Sequence, residues 1–254
     1  MASPNPRAND PTITLYEFSL SHYNEKARWA LDYKGIPYRS RPVLPGFHQG
    51  ILRRLSGQTR TPVLQIDDEV IAGSAEIVAR VDALSSDRPL FPEAPDARVE
   101  AEEWVRWLDK EVGPDVRLAL FHELLKSPAF ASTFFSQAVS SAKQTLYRWA
   151  FPAVSQVIKK KLNVNAANAD QAREVVDRAL TRVARSASAT GYLVGEAFSV
   201  ADLTAGALFF PLFYPQELPS SVPDRNVPEF KNWLDIWRNH EGAGYVRTLF
   251  SRHR

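Results

Sequence analysis

The sequence places a serine directly before a histidine, Ser21-His22, at the predicted start of a helix. A serine hydroxyl can act as a nucleophile, and a nearby histidine can act as the base that activates it. Adjacent residues at a helix start point in different directions, however, and no acidic residue with a motif role is placed to orient the imidazole. We therefore interpret His22 as a residue on the surface or behind the site, and not as a base for Ser21.

Composition excludes other kinds of chemistry. The chain of 254 residues contains no cysteine, which removes disulfides, thiolate metal sites and any nucleophilic sulfur of the protein's own. Its five histidines show no metal-ligand spacing, so we expect no metal. With 31 basic and 29 acidic residues the formal charge is only +2, far from the basic excess that predicts a nucleic-acid partner.

No stretch predicts a secretory or membrane-spanning segment. The opening MASPNPRANDP is polar and proline-rich, which is typical of a loose tail and not of a signal peptide. The longest apolar stretch, residues 205–215, is too short to span a bilayer, and its prolines predict a break in its helix. We expect a cytoplasmic protein with no membrane partner, and the absence of cysteine fits a reducing compartment.

The residues before position 85 predict a small α/β unit that must position this chemistry. Its order is βαβ followed by αββα. We expect strands over residues 12–18, 38–43, 62–66 and 69–72, and helices over 21–35, around 51–55 and around 77–84.

The chain changes character after residue 84. The stretch 85–97 is rich in proline and has neither the helical nor the strand period, so it predicts a linker. Apolar stripes at helical spacing follow, at Trp104, Trp107, Leu108 and Val112 and again at Val176, Leu180, Val183 and Ala187. We predict an α/β domain over 12–84, a linker over 85–95 and an all-helical domain over 96–254.

Two motifs stand out in this frame. FSVADL, residues 198–203, offers Ser199 as an N-cap with Asp202 three residues later, the pattern of a capping box, so we interpret Asp202 as structural. Thr61-Pro62 begins a predicted strand, where a proline forfeits a ladder hydrogen bond. Strand pairing therefore does not explain why a proline stands at this position.

Together these features resemble the cytosolic glutathione transferase superfamily over about residues 12–240. The resemblance rests on the βαβ-αββα order, Thr61-Pro62 before the third strand, Gly73-Ser74 at the next helix, and YLVGEAFSVADL late in the helical domain. It implies a thioredoxin-like N-terminal domain, an all-α C-terminal domain, glutathione as cosubstrate and a homodimer.

The resemblance also assigns a glutathione site. It implies a cis peptide bond at Thr61–Pro62, with the Thr61 backbone paired to the cysteinyl part of the tripeptide and Val63 next to it. Ser74, at a helix start, would bind the γ-glutamyl carboxylate. The alternatives are a trans proline that ends a loop and a serine that only caps its helix. Gly73 stands where many members carry Glu, Gln or Asp.

The implied catalytic residue is Ser21. Counted back from Arg28, it falls where serine-type members place the hydroxyl that activates the glutathione thiol, whereas the tyrosine-type position falls on Glu17. The alternative is an N-cap serine that, with Asn24 or Glu25 following it, simply starts the helix. His48 and Arg60 are competing candidates for the glycine carboxylate of glutathione.

Two functions are open from the sequence. One is a glutathione transferase that acts on a small hydrophobic electrophile, favoured by Ser21, Thr61, Pro62 and Ser74. The other is a binding or interaction protein that keeps the scaffold without turnover, favoured by Gly73.

Overall fold

The computed structural model of the chain describes residues 11–220, 222 and 224–254. The loose tail expected at the amino-terminal end falls on residues 1–10, outside the described residues. A four-stranded sheet with three helices is followed by a helical region, which confirms the expected fold class. No helix in the described part of the chain is both long and apolar enough to cross a membrane.

The sheet is mixed, with the strand order β2-β1-β3-β4. The strands are β1 (Ile13–Glu17), β2 (Arg39–Pro42), β3 (Val63–Ile66) and β4 (Glu69–Ala72). β1 runs parallel to β2 and antiparallel to β3, and β3 is antiparallel to β4. The central strands β1 and β3 hold the most buried side chains, whereas those of the edge strands are exposed or half-buried.

Three helices accompany the sheet: α1 (His22–Tyr33), α2 (Gln49–Ser56) and α3 (Ser74–Ala83). Nine of the twelve residues of α1 are buried, because the helix is enclosed between α3 and the helical region. It ends at Tyr33, two residues before the predicted end at 35. Gly35 follows the C-cap Lys34 with a left-handed φ of 65°.

The helical region contains eight α-helices and one π-helical turn among the described residues. They are α4 (Pro95–Trp107), the π-helical turn (Leu108–Val112), α5 (Gly113–Leu124), α6 (Pro128–Ser136), α7 (Ser141–Lys161), α8 (Ala166–Ser186), α9 (Val200–Phe213), α10 (Pro228–Trp237) and α11 (Ala243–His253). α9 forms the centre, since all its residues are buried.

α9 packs closely against α1. A Cβ atom at Gly206 would lie only 2.8 Å from a ring carbon of Trp29, so glycine permits this approach. The Trp29 indole donates to the His253 carbonyl at the end of α11, at 2.8 Å. These contacts fix α1 relative to the helical region.

The predicted break in the helix around Pro211 is wrong. α9 runs through Pro211 and ends at Phe213, before Pro215. A proline inside a helix costs about 3 kcal/mol, but fourteen buried residues outweigh that cost at roughly 1.5–3 kcal/mol for each large apolar side chain.

Candidate functional site

Ser21 occupies the N-cap position of α1. Its backbone is extended (φ −95°, ψ 130°), and its carbonyl accepts the Glu25 amide at 2.8 Å. Its hydroxyl makes no cap hydrogen bond, and the residue is half-buried. The hydroxyl and the first amides of the helix are therefore both able to donate to an anion.

The Thr61–Pro62 peptide bond is cis, as expected, and not trans as in the alternative. The Asn24 side-chain amide donates to the Thr61 hydroxyl at 3.1 Å, which ties this loop to the first turn of α1. Within the part of the chain that the structure describes, neither the amide nor the carbonyl of Thr61 has a hydrogen-bond partner. An extended peptide can pair with both groups.

Gly73 and Ser74 start α3 beside the same loop. The Gly73 amide donates to the Pro62 carbonyl at 3.2 Å, and Gly73, not Ser74, is the N-cap residue. Ser74 is only 7% exposed, and its hydroxyl makes no hydrogen bond to another described residue. This hydroxyl and the free amides of the first turn form a site suited to a carboxylate.

The Glu76 side chain lies over Gly73. A Cβ atom at position 73 would collide with the Glu76 carboxylate, so a longer side chain there would have to displace it. A carboxylate in the first turn interacts favourably with the helix dipole. It also repels any second anion that approaches the same end of α3.

His48 and Arg60 flank the loop, and Val63 lies behind it. His48 is half-buried, with its ring edge-on to Phe18 at 4.9 Å between centroids, and burial lowers its pKa. Arg60 is exposed and forms no ion pair with another described residue. Val63 is fully buried and pairs with both β1 and β4, so its side chain supports the site from below.

His22 is buried, which rules out the surface placement considered from the sequence. It is 4% exposed, and its Nε2 has no hydrogen-bond partner among the described residues. Burial, and after it the charge of Arg117, lower the pKa of His22 to about 3, against an opposing contribution from the Gly113 carbonyl. The ring is therefore neutral at pH 7 and packs between α1 and α5.

Besides α9, the π-helical turn of the helical region also contacts α1. The Tyr23 hydroxyl donates to the Asp109 carbonyl at 2.7 Å, and the Lys26 ammonium binds the Asp109 carboxylate at 2.6 Å. Lys26 is fully buried. π-Helical turns frequently mark functional sites, because they displace backbone carbonyls from the regular ladder. Here the residues of the turn form a wall beside the start of α1, on the side of the helical region.

The start of α5 continues this wall. A Cβ atom at Gly113 would clash with the Tyr23 hydroxyl, so α5 touches α1 at this residue. Arg117 follows one turn later on the same helix face. It is half-buried, and its Nε atom is enclosed without a hydrogen-bond partner among the described residues.

The structure brings the elements that carry Ser21, Thr61 and Ser74 next to one another. Asn24 joins the Ser21 helix to Thr61, and the Gly73 backbone joins the same loop to Ser74. The arrangement therefore offers hydroxyls, free backbone groups and two helix amino ends to a small anionic peptide.

The sequence suggests Asn24 only as a capping partner of Ser21 and gives no signal for Arg117. Asn24 is three residues after Ser21, the N3 position of a capping box, but its side chain bonds Thr61 instead. Arg117 belongs to no motif, and only the packing of α5 on α1 reveals it. Within the described residues, no group of three or more His, Asp or Glu side chains is placed to hold a metal ion.

Two family models match the chain. "Glutathione S-transferase, N-terminal domain" matches residues 15–89, and "Glutathione S-transferase, C-terminal domain" matches residues 121–241. Glutathione S-transferase U2 of Arabidopsis thaliana is 24% identical over 106 residues, which are 41% of this chain and 47% of that protein. The match thus spans about half the length of this relative.

Solved structures resemble the chain over nearly its whole length. Beta-etherase LigF from Sphingobium sp. strain SYK-6 has a TM-score of 0.60 at 19% identity and covers 95% of this chain and 99% of its own. The theta class glutathione S-transferase of Xanthomonas axonopodis pv. citri, with glutathione bound, has a TM-score of 0.59 at 22% identity and covers 93% and 96%. FzlA from C. crescentus has a TM-score of 0.59 at 20% identity and covers 92% and 91%. At these identities the likeness concerns the fold.

Proposed function

The chain belongs to the glutathione transferase superfamily, and from that premise we propose that it binds glutathione and activates the thiol for attack on a small hydrophobic electrophile. The thiol loses its proton to solvent, and the thiolate sulfur forms a bond to an electrophilic carbon. The bond from that carbon to the leaving group breaks, and the leaving group departs with the electron pair.

The observation that carries this proposal is the Ser21 hydroxyl, free of any cap hydrogen bond at the amino end of α1. A thiol with a pKa of about 8.5 is only about 3% ionised at pH 7, and lowering that pKa by about two units takes about 2.7 kcal/mol. A hydrogen bond to a charged group contributes about 1.5–3 kcal/mol, and a helix amino end about 0.3–1 kcal/mol more. Ser21 donates to the thiolate and remains protonated.

The remaining site residues hold the tripeptide. The Thr61 amide and carbonyl pair with the cysteinyl residue, and Ser74 with the α3 amides binds the γ-glutamyl carboxylate. His48 or Arg60 binds the glycine carboxylate. The bound glutathione in the theta class relative supports this ligand.

A second candidate is a protein that binds its ligand without turnover. Glu76 favours it, because its carboxylate lies over Gly73 at the start of α3, where the γ-glutamyl carboxylate would bind. Repulsion between the two anions would weaken glutathione binding.

Assembly and location follow the family. By this analogy the protein acts as a homodimer, and we place it in the cytoplasm, in keeping with a chain that lacks cysteine.

The test combines retention on immobilised glutathione with conjugation of several chloronitrobenzenes. We expect the protein to be retained and to turn over, Ser21→Ala to be retained but at least about tenfold slower, and the exposed control Ser251→Ala to match the unmodified protein. Retention without turnover selects the binding protein. Failure to bind glutathione overturns both candidates.

A further inference from the structure

Among the described residues, Arg117 is a cation with no anionic partner. No carboxylate in the described residues lies within ion-pair distance of its guanidinium, and its Nε atom is enclosed without a hydrogen-bond partner. Burial lowers the pKa of Arg117 most, Tyr23 opposes that shift, and the like charge of Arg60 lowers the pKa further. Arg117 is half-buried, and an enclosed donor without an acceptor is costly, so such a group is expected where a ligand supplies the acceptor.

The nearby acids do not fill this role. The Asp109 carboxylate is bound to Lys26. Asp115 is two residues from Arg117 on α5, and side chains at that spacing do not face each other on a helix. Arg60 is a second cation close enough to lower the pKa of Arg117, so it adds to the positive potential at this place.

Arg117 lies near the start of α1, since its charge lowers the pKa of His22, the residue after Ser21. It shares a face of α5 with Gly113, which touches Tyr23 two residues after Ser21. The residues proposed for glutathione all belong to the α/β half, whereas Arg117 belongs to the helical half. A group bound by Arg117 therefore approaches the Ser21 hydroxyl from the electrophile's side.

We propose that Arg117 binds an anionic substituent of the electrophile, so that the preferred second substrates are small aryl electrophiles that carry a carboxylate. A guanidinium fork matches a planar carboxylate with two parallel hydrogen bonds. The carboxylate takes no part in bond changes: the thiolate forms a carbon–sulfur bond, and halide leaves with its electron pair. This inference rests on the proposed function.

A matched pair of substrates tests it: 4-chloro-3-nitrobenzoate and 4-chloro-3-nitrobenzamide, each corrected for its uncatalysed rate with glutathione. We expect kcat/KM to favour the benzoate by about tenfold or more, a ratio near one in Arg117→Met, and partial recovery in Arg117→Lys. Arg178→Met, an exposed arginine of α8, is the control and should keep the full preference. Equal treatment of both substrates by the unmodified protein, or an unaltered ratio in Arg117→Met, overturns the proposal.

Melting temperature and ligand binding test the role of Arg117 without requiring turnover. Because Arg117 has no ion pair within the described part of the chain, Arg117→Met should melt at the same temperature as the unmodified protein or higher without ligand. A clear fall would assign the arginine a structural role instead. If neither substrate is turned over, the proposed function fails, and calorimetry with unreactive 3-nitrobenzoate and 3-nitrobenzamide decides the anion site alone. Tighter binding of 3-nitrobenzoate than of 3-nitrobenzamide, lost in Arg117→Met, supports the anion site. Equal affinity of the unmodified protein for the two compounds overturns it.

Discussion

Ser21 and Ser199 hold the same position on two helices, but their hydroxyls are used differently. The Ser199 hydroxyl donates to the Asp202 carboxylate at 3.0 Å and accepts the Ala201 amide at 3.3 Å. The residue three positions after Ser21 is Asn24, whose side chain is directed to Thr61 instead. At the residue scale, that diversion leaves the Ser21 hydroxyl free for a ligand.

Replacing His22 by Gln should flatten the loss of stability in mild acid. Burial lowers the His22 pKa to about 3 in the folded protein, against about 6.5 in the unfolded chain. Its contribution is therefore fully present above about pH 6.5 and is lost between about pH 6.5 and pH 3, at about 1.4 kcal/mol per pH unit.

Urea unfolding at pH 7 and pH 5 measures this difference. The unmodified protein should lose about 2 kcal/mol more than His22→Gln over that interval. The pH profile of turnover should keep its shape, because a neutral buried ring does not titrate near pH 7. Identical losses in the two proteins would show that His22 is protonated in the folded state.

At the scale of elements, Asp202 joins three segments at the start of α9. Its carboxylate accepts the Leu193 amide at 2.8 Å, the Ser199 amide at 3.0 Å and the Tyr245 hydroxyl of α11 at 2.8 Å. The capping box predicted from the sequence is confirmed, and its acid also holds a loop and a second helix.

Asp202→Ala should lower the free energy of unfolding by about 3 kcal/mol, because several buried donors lose their acceptor. An ordinary cap contributes only about 1 kcal/mol, which is the loss expected for Tyr245→Phe, where a single donor is removed. Urea unfolding and rates per folded molecule check this. Full stability with lost turnover would make Asp202 a functional residue instead.

Local signals explain which elements the sequence predicts. β4 has the predicted bounds, and the α8 stripe is buried as predicted up to Ala187, the C-cap, since strand alternation and helical spacing are properties of a few neighbouring residues. The helix through Pro211 and the burial of His22 escape prediction because each depends on what packs around it. The π-helical turn likewise interrupts a stripe that reads as one continuous helix.

At the scale of the whole molecule, the site too combines residues with local sequence signals and residues that only packing reveals. Ser21, Thr61 and Ser74 are visible in the sequence because each belongs to a short motif. The wall with Arg117 is not, because it exists only where the helical half meets α1. Such contacts join residues far apart in the chain, as when the Arg254 side chain binds Glu25 at 2.6 Å.

The buried ion pair of Lys26 and Asp109 is expected to hold the two halves together. Lys26→Met should cost about 3–5 kcal/mol of unfolding free energy, because it leaves the Asp109 carboxylate largely buried without its partner. The double variant Lys26→Met with Asp109→Leu should recover most of that loss, since no charge remains to be desolvated.

Urea unfolding of both variants beside the exposed control pair Arg98 and Glu102 on α4 measures this. Removal of that surface pair should cost at most about 1 kcal/mol. A single Lys26→Met variant as stable as the unmodified protein would show that the pair does not join the halves.

The most direct test of the role of Ser21 is the pKa of the glutathione thiol when it is bound to the protein. That pKa is measured from the ultraviolet absorbance of the thiolate across pH. In the unmodified protein the midpoint should lie about two units below the solution value near 8.5, and Ser21→Ala should return it most of the way, by about one to two units. His22→Gln should leave the midpoint close to that of the unmodified protein. A midpoint that Ser21→Ala leaves in place, or that moves with His22→Gln instead, would contradict the assignment of Ser21.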